Sequence, residues 1–77
     1  VIIVAYKGYT SEYYVKNGTR KFYQGDKVRV ENLQAIYTDG TIDYISAKGI
    51  YLKQENREKP IYYSFDKINS MRKLPKD

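Results

Sequence analysis

Short runs of alternating apolar and polar residues, each broken off by a Gly or by an Asn-Gly or Asp-Gly pair, commit this chain to antiparallel β structure. Tyr, Val, Ile and Phe fill the runs, and helix formers rarely cluster. Lys27-Val28-Arg29-Val30-Glu31 and Ile50-Tyr51-Leu52-Lys53 are the cleanest cases, with aliphatic side chains on one face. Val1 to Tyr6 is apolar on both faces, which predicts a central or covered strand closed by Gly8. Ile61 to Phe65 is a further strand, set off by the polar stretch Gln54 to Pro60.

Asn17-Gly18 gives the strongest local signal. Both central residues of a type I′ turn need φ > 0, which Asn and Gly supply, so a two-residue hairpin is expected across Ser11 to Gln24. That turn sets Tyr13 opposite Phe22 and Val15 opposite Arg20 on an inward face. Tyr14 opposite Lys21, and Glu12 opposite Tyr23, fall outward. Two segments stay open. Asp39-Gly40 is either a second hairpin turn or a bend inside one long strand from Ile36 to Ser46, with the turn then at Asn32-Gln34. Ile68, Met71 and Leu74 recur every three residues, which suits a helical turn or a 3₁₀ step followed by a last strand.

The chain has 77 residues, room for one small domain. It contains no His, Cys or Trp, which excludes zinc fingers, thiolate nucleophiles and Ser-His pairs. Ten of its apolar residues are Tyr, so the aliphatic core is thin and self-association is expected to add stability. The first residue is Val, which implies processing or a longer parent chain. The run from Val1 to Tyr6 falls far short of the ~20 residues of a membrane span and lacks a signal peptide's basic region. A cytoplasmic, non-membrane domain is the expectation.

From Gly25 to Leu74 the order of parts resembles the Sm-like group of SH3-like small β-barrels. Gly25 precedes Val28 and Val30; Tyr37, Gly40, Thr41, Ile42 and Ile45 follow the pattern of a long bent strand; Ile50 and Leu52, then Ile68 and Met71, take the closing positions. The resemblance implies an all-β barrel, here of five to seven short antiparallel strands with an N-terminal strand and hairpin. The family's RNA pockets are not matched. Ser64-Phe65-Asp66 stand where bacterial members carry Tyr-Lys-His, and Ser46-Ala47-Lys48-Gly49-Ile50 where others carry Asp-x-x-Met-Asn.

Function is therefore read from charge and aromatic content. None of Glu12, Asp26, Glu31, Asp39, Asp43, Glu55, Glu58 or Asp66 forms a recognisable catalytic or metal-binding pair, so neither an enzyme nor a cofactor or metal is expected. Lys and Arg outnumber Asp and Glu by 14 to 9, a net charge of +5. Cations interleaved with tyrosines on strands suit phosphate tracking and base stacking. The expected nucleic-acid contacts are Arg20, Lys21, Lys27, Arg29 and Lys48, with Tyr14 and Tyr23 as stacking surfaces. The alternative partner is a protein, docked on outward Tyr14, Tyr23, Tyr51 and Tyr63 by an interaction module, an inhibitor or a phage- or mobile-element-type adaptor.

Overall fold

In the computed structural model, which describes residues 3–7, 13–17 and 19–75, the alternating runs become eight strands in two antiparallel sheets. Strands β1 (Ile3–Lys7), β2 (Tyr13–Asn17) and β3 (Arg20–Tyr23) make a three-stranded sheet in that order. Strands β4 (Lys27–Asn32), β5 (Tyr37–Ile45), β6 (Gly49–Lys53), β7 (Ile61–Ser64) and β8 (Ile68–Lys73) make the second sheet, ordered β7-β6-β5-β4-β8. A single 3₁₀ turn, Phe65–Lys67, carries the chain from one edge of that sheet to the other. No ladder joins β7 to β8 among the described residues, so a five-stranded antiparallel sheet with no closed barrel is found where a small barrel was expected. The first strand is an edge rather than a central strand, and Val1, Ile2 and Gly8 lie outside the described residues.

The core explains why the sheets stack. Val28, Val30, Ile42, Ile45, Ile50, Leu52, Ile68 and Met71 turn one face of the large sheet inward, and Val15 and Phe22 meet them from β2 and β3. No charged or polar side chain is buried among the described residues. Asn17 Nδ2 donates to the Met71 carbonyl at 3.1 Å, a polar tie between the two sheets.

Hairpin register departs from the type I′ expectation. Val15 faces Phe22, Tyr14 faces Tyr23, Lys16 faces Lys21 and Asn17 pairs with Arg20. Asn17 therefore belongs to the strand, and the loop lies one residue further on. Its φ is not positive, Ala35 being the described non-glycine residue with that property; Gly18 lies outside the described residues, as does Glu12. The direct facing of Val15 and Phe22 is the better burial, since it pairs two apolar side chains where the I′ register pairs Val15 with Arg20. Arg20, expected inward, is exposed at the strand end.

The other open segments resolve cleanly. Asp39-Gly40 is no turn: β5 is continuous, and Gly40 marks close packing, since a Cβ there would lie 2.7 Å from Leu52 Cγ and 2.8 Å from the Lys53 carbonyl. Two bulges rephase the sheet. Ile42 pairs with Leu52 and Tyr44 with Tyr51, leaving Asp43 as the extra residue. Glu31 pairs with Ser70 and Asn32 with Ile68, leaving Asn69 extra. Each bulge lets two core residues three apart, Ile42 with Ile45 and Ile68 with Met71, face inward from one strand. This is why the tail's three-residue spacing is compatible with a strand.

Between β4 and β5 the loop is tied by one side chain. Asn32 Oδ1 accepts from the Gln34 and Ile36 amides at 2.9 and 3.0 Å, and the Ala35 amide donates to the Asn32 carbonyl at 3.1 Å. The closure forces Ala35 to a φ of 62°. The left-handed conformation costs a residue with a Cβ roughly 1–2 kcal/mol, and Gly's extra unfolded-state freedom takes back part of that. Ala35→Gly should raise stability by roughly 0.5–1 kcal/mol, read as a higher urea midpoint with unchanged slope. A lower midpoint would show that the loop is not strained.

Candidate nucleic-acid interface

Alternation along β2 and β3 sends Val15 and Phe22 inward, so Tyr14, Lys16, Lys21 and Tyr23 share the outer face. The Tyr14 and Tyr23 rings sit 5.7 Å apart at 40°, and Lys21 Nζ lies 5.1 Å from the Tyr14 ring centroid. Tyr14 is half-buried, while Tyr23 is 41% exposed. Lys16 and Lys21 are exposed and directly opposite each other. Like charges in that relation repel, a local cost that a bound anion would remove. Neither strand carries a carboxylate.

The expected contacts split between surfaces. Tyr14, Tyr23 and Lys21 come together on the hairpin, with Arg20 at its end. Lys27 and Arg29 lie on the outer face of β4 in the other sheet. Lys48 is exposed in the turn before β6, where its carbonyl accepts from the Phe65 amide at 3.0 Å.

Arg29 is not a free cation. Its Nε and Nη2 fork onto Asp39 Oδ1 and Oδ2 at 2.7 and 2.9 Å. That hydrogen bond holds the Asp39 carboxyl below its ordinary range and raises the Arg29 guanidinium above its own. Both side chains remain partly exposed, so solvent screens the pair and its stabilisation is small.

Three tyrosines form a row that the sequence pattern only half revealed. Tyr44, Tyr51 and Tyr62 face outward on adjacent strands, with ring centroids 6.0 and 5.0 Å apart along the row. Tyr51 is outward as expected. Tyr63 is not: it pairs with buried Ile50 and packs half-buried against the core, and Tyr62 takes the outer place. An aromatic pair in so short a strand gives no phase by itself. The Asp43 bulge likewise decides that Tyr44 points out, and nothing in the local sequence signals it.

Among the described residues no group of three or more carboxylates could hold a metal ion, and no helix is long and apolar enough to cross a membrane. Set against known protein families, curated proteins and solved structures, the chain matches none.

Proposed function

We propose that this chain is a non-catalytic binding module that takes nucleic acid on the outer face of the β2–β3 hairpin. The observation that carries the reading is the joined Tyr14–Tyr23 ring pair beside the Lys16–Lys21 pair, on strands without a carboxylate. Rings offer stacking to any base, and the cations two residues away on the same face offer phosphate contacts. Lys27, Arg29 and Lys48 then serve as secondary cations or as surface charge. A meander of four strands whose fifth returns beside the first supports kinship with Sm-like or SH3-like small barrels.

A mixed-sequence single-stranded oligonucleotide titrated at two salt concentrations tests it. With about four phosphates neutralised, the log–log salt slope should be about −3, and Tyr23→Ala should weaken binding by about 1–3 kcal/mol at any sequence. Absence of binding at the lower salt overturns the reading. The second reading, a protein partner or a second copy of the chain, then takes its place, favoured by the exposed Tyr44–Tyr51–Tyr62 row beside the open β7 edge.

A further inference from the structure

The outer face of the large sheet carries a second group of residues with its own chemistry. Arg72 on β8 stands directly across from Arg29 on β4, and Arg29 directly across from Asp39 on β5. Two guanidinium groups side by side repel, and the Asp39 carboxylate hydrogen-bonds just one of them, reaching Arg72 through its charge alone. Among the described residues no carboxylate lies within ion-pair distance of Arg72, which is exposed. The nearby Glu31 has Oε1 occupied by Asn69 Nδ2 and Ser70 Oγ, both at 3.0 Å. Gln54 Nε2 donates to the Asp39 carbonyl at 3.1 Å, closing the far side. Arg29, Asp39, Gln54, Ser70 and Arg72 line one concavity, with Tyr37 at its wall and 62% exposed.

We infer that this concavity binds a nucleotide unit, with its phosphate on Arg72 and the flanking Arg29 edge and its base against the Tyr37 ring. The fork onto Asp39 fixes the Arg29 plane before any ligand arrives, so little side-chain freedom is lost there on binding. Arg72 supplies a cation that no described carboxylate contacts as an ion pair, and the aromatic wall adds a contact that inorganic phosphate lacks. The site lies on the other sheet from the hairpin and turns on Arg72 and Tyr37, which the hairpin reading does not use, so Arg29 is the one residue named for both and each reading fails or holds independently.

The test is amide chemical-shift mapping on the full chain with adenosine 5′-monophosphate, adenosine, inorganic phosphate and an oligothymidylate without a terminal phosphate. Adenosine monophosphate should move the amides of Tyr37, Asp39 and Arg72 saturably, more tightly than phosphate, and adenosine should move them least. Arg72→Ala, at an exposed position, should weaken this about tenfold or more while leaving the core amides in place. Movement of the same amides by the oligothymidylate would assign the phosphate to a strand; movement by the monophosphate alone would assign it to a free nucleotide. The inference falls if neither nucleotide ligand moves these amides saturably, or if Arg72→Ala binds like the parent chain.

Discussion

Replacing Phe22 by Ala should cost about 3–5 kcal/mol, the range for removing a fully buried aromatic ring. A chain of this length is expected to hold only ~4–12 kcal/mol in total, so the variant should sit near the edge of folding. Phe22 has no exposed surface, faces Val15 across the hairpin and shares a core with four strands of the large sheet, β4, β5, β6 and β8, against which the half-buried Tyr63 of β7 packs. Together with Val15 it is what the described part of the small sheet contributes to that core. The measurement is thermal or urea unfolding, with a melting temperature lower by more than about 10 °C. A loss under about 1 kcal/mol would mean that the hairpin hangs beside the core instead of completing it.

Gly49→Ala should be nearly as damaging, for a reason that has nothing to do with turn conformation. A Cβ at this buried position would run into the Tyr63 carbonyl oxygen, and would stand 2.8 Å from Cε1 and Oη of Tyr62. The Tyr62 ring is exposed at 46% and has room to swing away. The carbonyl does not, because it belongs to the β6–β7 pairing that sets Ile50 against Tyr63. Overpacking against fixed backbone places the expected loss at about 2–3 kcal/mol or more. The double variant with Tyr62→Ala separates the two obstacles. If the backbone is decisive, removing the ring restores little; full recovery would assign the clash to the ring alone.

Much of the core was open to reading because its strands alternate without interruption. Val28 with Val30, and Ile50 with Leu52, declare their inward faces by period alone, and all four are fully buried. Legibility failed where one residue changes phase. The bulged Asp43 and Asn69 look like ordinary polar positions, yet each swaps the face of everything after it. The hairpin misled in another way: Asn17-Gly18 is a strong turn pair, but the gain from facing Val15 with Phe22 fixes the register instead. In the candidate interface, the Tyr14, Tyr23 and Lys21 grouping followed from strand alternation. Arg72 was legible only as one of several scattered cations, because its relation to Arg29 arises from the pairing of β8 with β4, far apart in the chain. The Asp39 fork on Arg29 was hidden by the same kind of distance, spanning ten residues across the β4–β5 loop.

The tie from Asn17 to the Met71 carbonyl joins residues 54 positions apart, and β8 also supplies the partner that β4 lacks on its outer side. On a ribosome the hairpin therefore emerges long before the surface it must cover exists. Until the last strand is made, Val15 and Phe22 have only part of their eventual neighbours, and the nascent chain carries open strand edges and uncovered rings. Contacts this remote close slowly, since loop entropy is spent before they form. Synthesis thus imposes a waiting period on this domain, during which its earliest strands are the segment most in need of shelter.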